Sequence, residues 1–299
     1  MRRPLFSIVI ATFNYGRFLE DALQSLHLQS CQDYELIICD GGSTDCSVDI
    51  IKRFVGAWPA KTKRTLEQAL NEGTHITWWC SETDAGQSDA FNKGFSHAEG
   101  RFLTWLNADD IFAPDALMSI ADEIAKHPGC EWFIGSSMWA DSRLRIARCF
   151  CAHRFSGLRA KYGYLTAGGP SSFFSKELFD RAGGVDESLH FTMDSDLWYK
   201  FYFNCGARYR RTRANVFIYR MHESSKMSGA DVKQTESALR NRLRAKEEEG
   251  IVLARYHIKR GRTCARFVTM LTFSLVDKIC SLLKSFKYCG KTINGGRYE

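Results

Sequence analysis

The feature that most constrains this chain is a rhythm in its first third. Short apolar runs alternate with segments of helical period, and each run ends in polar side chains. Phe6–Ala11 (FSIVIA), Tyr34–Cys39 (YELIIC), Ile76–Cys80 (ITWWC) and Arg101–Leu106 (RFLTWL) are rich in β-branched and aromatic residues. Runs of that length and composition read as strands buried on both faces. Between them, Arg17–Gln29 brings Phe18, Ala22, Leu23 and Leu26 to one side of a helix, and Ser88–Ala98 forms another. Ser43 or Thr44 can cap a helix over Asp45–Val55, and Pro114 opens one that ends near His127. Such alternation predicts βαβ units and a mainly parallel sheet with helices on both faces. Ligands of these sheets bind outside the carboxyl ends of the strands. The polar residues fall there: Thr12-Phe13-Asn14, Asp40, Glu82 with Asp84, and Asn107 to Asp110.

The second half is mixed. Trp132–Trp139, Arg145–Cys151 and Ser172–Phe174 read as strands, with a turn at Gly168-Gly169-Pro170. A helix through Arg181 stops at Gly183-Gly184, a second covers Asp194–Phe203, and a strand over Val216–Arg220 runs into Met221-His222-Glu223. Val232–Glu249 is charged with little apolar surface, a connector or a solvated face. Val268, Leu271, Leu275, Ile279, Leu282 and Phe286 then recur at helical spacing among serines and lysines. The longest uncharged run there, Phe267–Val276, is too short to span a bilayer. An amphipathic helix with this cationic background could lie on an anionic membrane surface; the alternative is packing on the main domain or a second subunit. The expected division is a domain over 1–228, halved near 112, and a basic helical extension over 229–299.

Charge supports that division. Residues 251–299 hold ten Lys and Arg against Asp277 and Glu299, so this tail carries +8 while the whole 299-residue chain carries +7. The main domain is therefore near neutral, and no nucleic-acid footprint is indicated on it. With 44% hydrophobic and 25% charged residues the chain reads as globular. Its 11 cysteines are odd in number and mostly embedded in apolar runs, which reads as free thiols in a reducing cytoplasm. Cys149 and Cys151 are too close for the usual zinc spacing. No signal-peptide pattern is read at the N-terminus, and the sequence sets no oligomeric state.

The stretch Leu106-Asn107-Ala108-Asp109-Asp110 sets carboxylates directly after an apolar strand. A hard divalent cation on a diphosphate uses one or two carboxylates and leaves its other positions to phosphate oxygens and water. The structural alternative is a turn that caps the next helix.

Together, Ile8-Val9-Ile10-Ala11-Thr12-Phe13-Asn14, Asp40-Gly41-Gly42-Ser43-Thr44-Asp45, the stretch Ser81 to Gly94 (SETDAGQSDAFNKG) and Trp105-Leu106-Asn107-Ala108-Asp109-Asp110 resemble the family-2 glycosyltransferases of the GT-A fold, in words, order and spacing. The resemblance covers roughly residues 5 to 225 and implies a Rossmann-like nucleotide-sugar-binding α/β sheet, mostly parallel, with a C-terminal helical extension. It implies a nucleotide-sugar donor, a saccharide or lipid-linked acceptor, and Mn²⁺ or Mg²⁺. It puts Thr12 and Asn14 under the nucleotide, Asp40 on the base, Asp84 and Asp89 by the nucleoside, and Lys93 near the phosphates. Asp89 and Lys93 lie four apart on one helix face, where an intrahelical ion pair is the plain alternative. Asn107 stands where Asp often opens the acidic motif and is read as a ribose or water-mediated contact. Asp109 is the expected metal ligand, with Asp110 capping the next helix.

Gly183 to Glu187 and Met193-Asp194-Ser195-Asp196-Leu197-Trp198 resemble the family's later block, with Met193 where Glu is frequent. Asp194 matches the catalytic base, which takes a proton from an acceptor hydroxyl as that oxygen attacks the anomeric carbon from the face opposite the nucleotide. Helix N-terminal charge is its structural alternative. His222 resembles the histidine that closes over the metal and diphosphate in some relatives, and imidazole suits Mn²⁺ better than Mg²⁺. The expected function is thus an inverting transferase, cytoplasmic or peripheral on the inner face of the membrane. Two others stay open: a non-catalytic nucleotide-sugar-binding subunit, favoured by Asn107 and Met193, and a nucleotidyltransferase, which would need a Gly-rich, Lys/Arg-bearing triphosphate loop that the first strand lacks.

Overall fold

The computed structural model describes residues 3–152, 169–223, 225, 236–258 and 278–299. The four apolar runs form β1 (Phe6–Thr12), β2 (Tyr34–Asp40), β3 (Ile76–Ser81) and β4 (Phe102–Asn107). They are parallel in the order β3-β2-β1-β4. The chain therefore steps outward from β1 and then returns to its other side, which opens a crevice at the carboxyl ends of β1 and β4.

Side chains alternate between the two faces of these strands. Phe6, Ile8 and Ile10 of β1 enter one apolar cluster and Val9 enters the other. The first cluster is closed by α1 (Gly16–His27), α2 (Ser47–Val55) and α5 (Ala116–Lys126), the second by α4 (Gln87–Ser96); α3 (Leu66–Asn71) leads into β3. At Gly94 a methyl group would collide with Val9, so glycine lets α4 lie close to β1.

Beyond β4 the sheet is mixed: β5 (Ile111–Phe112), β6 (Trp132–Ala140), β7 (Ile146–Phe150), β8 (Ser172–Ser175) and β9 (Tyr209–Arg220) extend it. β8 runs antiparallel between β4 and β6, β9 lies parallel to β6, and β7 pairs antiparallel with the other edge of β6. β9 starts seven residues before the expected Val216. Its first half, Tyr-Arg-Arg-Thr-Arg-Ala-Asn, is largely accessible to solvent and lacks an apolar pattern.

α6 (Lys176–Ala182) is capped by the Ser175 hydroxyl and ends at Gly183 with φ 73, as the Gly-Gly pair predicts. α7 (Met193–Tyr199) continues into a wider turn over Lys200–Asn204. Trp198 of α7 lies between Trp105 of β4 and Trp132 of β6, with ring centroids 5.5 and 5.4 Å away. Large rings stacked this way dominate core energetics, so the stack fixes α7 against both halves of the sheet.

Val232–Glu249 is expected as a connector or a solvated face; α8 (Glu236–Arg255) buries Glu248 within that stretch and, beyond it, packs Val252 and Leu253 on the second cluster. Residues 278–288 form a further helix, followed by the hairpin β10 (Ile293–Asn294) and β11 (Arg297–Tyr298). Tyr288, Ile293 and Tyr298 pack on a third small cluster with Ile146 and Cys149. The amphipathic pattern over 264–277 lies outside the described residues, and no described helix is long and apolar enough to cross a membrane.

Candidate active site

The expected polar residues gather along the carboxyl edge of the sheet. At β1, Asn14 adopts a left-handed conformation, φ 57, which Asn tolerates better than most residues. Its amide donates to Ser43 Oγ (2.8 Å) and its Oδ1 accepts from Thr44 N (2.8 Å). Ser43 and Thr44 are therefore tied to Asn14 and do not cap α2. The N-cap of α2 is Cys46, and Asp45 before it accepts from Ser47 N at 2.9 Å and from Gly16 N at 2.8 Å, which ties α2 to α1. Thr12 is buried beneath this loop, and its hydroxyl has no hydrogen-bond partner among the described residues.

Asp40 is also buried. It accepts from Ser43 N at 2.9 Å, Gly42 N at 3.2 Å and Ser81 Oγ at 2.6 Å, and from the Ser43 hydroxyl. A carboxylate offers about four acceptor sites, so in this state Asp40 is occupied with shaping the loop. Asp84 accepts from Gly86 N at 2.9 Å through Oδ1, while its Oδ2 overhangs Gly41, where a Cβ would approach it to 2.8 Å. Burial pushes the Asp84 carboxyl upward. Beside Gly41 lies Phe13, 55% exposed although fully apolar. A bare glycine, an exposed ring and an acceptor oxygen together form a slot suited to a flat heterocycle.

Asp89 and Lys93 do not pair with each other. Asp89 Oδ2 accepts from Ala85 N at 2.9 Å, and Lys93 reaches Glu82 at 3.3 Å. Burial works against the Lys93 charge, but the Glu82 carboxylate outweighs it and raises the pKa. The lysine charge therefore persists beside Glu82 at the end of β3.

At β4, Asn107 bridges two elements: Oδ1 accepts from Gln87 Nε2 at 2.9 Å, and Nδ2 donates to Asp110 Oδ2 at 2.8 Å. Asp110 is fully buried and also accepts from Arg220 N at 2.9 Å. It links the end of β4 to the end of β9 instead of capping α5, whose N-cap is Asp115. Burial first, and then neighbouring Asp109, raise its pKa. This link brings Asp109 Oδ2 within 3.0 Å of His222 Nε2. Phe18 packs against the imidazole at 4.3 Å, and Tyr15 lies edge-on to it at 6.1 Å. Burial, reinforced by Asp109, pushes the Tyr15 phenol up to about 12.

Asp109 and His222 form an oxygen and imidazole donor set. Among the described residues no group of three His, Cys, Asp or Glu side chains could hold a metal ion. A cation here would thus take two protein ligands and complete its shell from phosphate and water, which suits a cation shared with a diphosphate.

Asp194 opens α7. Its Oδ1 accepts from Ser195 N at 2.6 Å and Ser195 Oγ at 3.2 Å. The carboxyl is densely surrounded though still partly accessible, and burial raises its pKa. Met193 turns inward, its sulfur 2.9 Å from Ser88 Oγ on α4, so α7 begins beside the helix that carries Asp89 and Lys93. Asp196 is fully buried and bound by Arg255 Nη1 (2.7 Å), Tyr256 OH (3.1 Å) and Lys200 Nζ (3.3 Å). The acidic pair therefore divides: Asp196 anchors the helix and Asp194 stays available.

Glu248, only 5% exposed, accepts from the backbone N–H groups of His190 (3.0 Å), Phe191 (2.7 Å) and Thr192 (3.3 Å). Arg255 reaches Asp186 at 2.9 Å. α8 thus grips both ends of the loop that presents Asp194, a role the sequence reading missed. The available signal was the apolar Ile251-Val252-Leu253 one turn beyond Glu248, which marks one face of α8 as buried.

Residues 7–183 match the family model described as Glycosyl transferase family 2. A PGL/p-HBAD biosynthesis glycosyltransferase of Mycobacterium tuberculosis is 33% identical over 151 residues, which are 50% of this chain and 53% of the relative. The chain thus spans about half the length of the curated relatives it matches. Among solved structures, Staphylococcus aureus TarS in complex with UDP-GlcNAc is similar with a TM-score of 0.59 at 18% identity, covering 95% of this chain and 80% of that one. The mannosyltransferase PcManGT from Pyrobaculum calidifontis, in complex with GDP-Man and Mn²⁺, gives 0.54 at 16% identity over 96% and 88%. At these identities the likeness is one of fold: the α/β architecture is that of the GT-A glycosyltransferases.

Proposed function

The chain belongs to glycosyl transferase family 2, and from that premise we propose that it moves a sugar from a nucleotide-diphosphate donor to a hydroxyl acceptor with inversion at the anomeric carbon. The observation that carries this reading is the contact of Asp109 with His222 at the carboxyl edge of the sheet. The base lies in the slot of Phe13, Gly41 and Asp84, above Thr12, Asn14 and the loop that Asp40 shapes. Asp89 and Asn107 face the ribose, and Lys93 holds its charge toward the diphosphate. Asp109 and His222 would hold Mn²⁺ or Mg²⁺, which would supply neutralisation of charge on the departing nucleoside diphosphate.

Asp194 accepts the proton of the acceptor hydroxyl. The new oxygen–carbon bond forms on one face of the sugar as the bond to the diphosphate breaks on the other. Its raised pKa strengthens it as a base, and its free reach follows from Asp196 taking the anchoring role. Likeness to the M. tuberculosis glycosyltransferase named for PGL/p-HBAD biosynthesis supports a cell-envelope or lipid-linked acceptor for this chain. The basic C-terminal segment favours work at an anionic membrane surface, and cysteines odd in number and mostly set in apolar runs favour the cytoplasmic side. On this reading residues 1–228 form the catalytic domain and 229–299 its extension.

One observation favours a second reading, a non-catalytic sugar-nucleotide-binding subunit. Asn107 and Met193, which stand where acidic residues are frequent, are both satisfied by internal contacts. A screen of UDP-, GDP- and dTDP-sugars with Mn²⁺, reading nucleoside diphosphate release, separates the two. Release from at least one donor supports the transferase. Calorimetric binding with no release from any donor supports the subunit.

A further inference from the structure

The helix over 278–288 is amphipathic in the reverse of the usual sense. Its polar stripe faces the protein. Ser281 Oγ accepts from Cys151 N at 3.0 Å, Ser285 Oγ accepts from Cys149 N at 3.1 Å, and Cys289 Sγ donates to Ala147 O at 3.1 Å. These three side chains recur every four residues, so one ridge of the helix meets alternate backbone groups of β7. β7 is an edge strand, and such unpaired edges are normally covered. Lys284 adds bonds to Arg213 O and, at 2.6 Å, to Asn215 Oδ1 of β9. The helix is thereby fixed with its apolar stripe outward: Ile279 is 48% exposed, Leu282 57%, Leu283 63% and Phe286 80%.

We propose that this stripe is a docking face that inserts into the surface of an anionic lipid bilayer. Charge complementarity selects that occupant. Lys278 and Lys287 flank the stripe, Lys291 and Arg297 follow, and Glu299 is the only acidic side chain from 278 onward. A second copy of this chain would bring the same cations against them. Four side chains on one short helix also offer a few hundred Å², against the ~800 Å² per partner of a standard protein interface. A headgroup layer requires no such area, because an apolar ridge and basic residues act together there.

The placement deepens the lipid-linked acceptor reading and rests on it only for its purpose. Gly290 N bonds Ile146 O at 2.9 Å, Ile146 pairs with Ala140, and Ala140 accepts from Met221 N at 2.8 Å. The helix end therefore sits at the carboxyl edge that carries His222. A bilayer against the stripe would border the edge that carries His222.

The test uses the full chain with phosphatidylcholine vesicles containing or lacking phosphatidylglycerol, read by sedimentation in the absence of any donor. The native chain pellets with the anionic vesicles, and raising the salt weakens that binding. The pair Leu282→Glu with Phe286→Glu lowers partition at least tenfold without changing the melting temperature, since both residues are exposed. Lys278→Gln with Lys287→Gln lowers it several-fold and flattens the salt dependence. In Phe286→Trp, emission moves to the blue on anionic vesicles alone. Native-like binding by the Leu282/Phe286 pair overturns the proposal. So does a native dimer that this pair converts to monomers, because the stripe would then be a contact between copies. Donor turnover is measured separately, so loss of lipid binding and loss of the transferase reading remain distinct results.

Discussion

His222 Nε2 lies 3.0 Å from Asp109 Oδ2, although 113 residues separate them in sequence. The contact exists because buried Asp110 accepts both the Asn107 side-chain amide and the Arg220 backbone amide. One carboxylate thereby aligns the ends of β4 and β9. Its neighbour Asp109 is left facing the histidine that follows β9.

That alignment is testable through Asp110. In Asp110→Ala the Arg220 N–H loses a buried acceptor, which costs about 1–3 kcal/mol. The melting temperature should drop by several degrees, and Mn²⁺ should tighten nucleotide binding less than in the native chain. Unchanged stability together with an unchanged Mn²⁺ effect would remove Asp110 from this role.

Asp194→Asn should bind donor as the native chain does and lose transfer by about 10²–10⁴-fold, the range of general-base contributions. The native rate should depend on pH in a defined sense. The group acts only when deprotonated, and burial raises its pKa above the ordinary 3.8. Turnover should therefore rise as pH climbs through that raised value and vanish below it. For stability the sign is opposite: the folded chain holds this proton more tightly than the unfolded chain, so raising the pH through the same window weakens folding. A pH profile of kcat reads the first limb, and melting temperatures of the native and variant chains across the same pH range read the second.

Glu248→Gln keeps the side-chain shape of α8 but replaces a carboxylate that receives three backbone N–H groups at 190–192. Amide hydrogen exchange should quicken at Phe191 and Thr192. The value of kcat should fall about tenfold with donor affinity unchanged, because the loop carrying Asp194 loses its register. Faster exchange with an unchanged kcat would show that the grip is structural only.

The parallel half of the fold was legible because FSIVIA, YELIIC, ITWWC and RFLTWL are buried on both faces and their polar ends mark the carboxyl edge. Less legible were parts held by long-range polar contacts. The first half of β9 is half exposed and carries three arginines, so no periodic signal marks it. Asp110 looks like a helix cap from its neighbours, and only the arrival of β9 makes it a strand-to-strand link. Glu248 sits between Glu247 and Glu249, and only the apolar Val252-Leu253 one turn on marks its face as the buried one. Helix spacing offers an Asp89–Lys93 ion pair as the plain alternative for Lys93, but Glu82 reaches it from the preceding loop.

The most direct test of the whole account is calorimetry of nucleotide-sugar binding with and without Mn²⁺, on the native chain and on Asp109→Ala, with UDP-GlcNAc and GDP-mannose as probes. Mn²⁺ should tighten at least one probe on the native chain by tenfold or more, and Asp109→Ala should abolish the gain. An equal Mn²⁺ effect in the variant, or none in the native chain, would contradict the assignment of Asp109 and His222 to the metal and diphosphate.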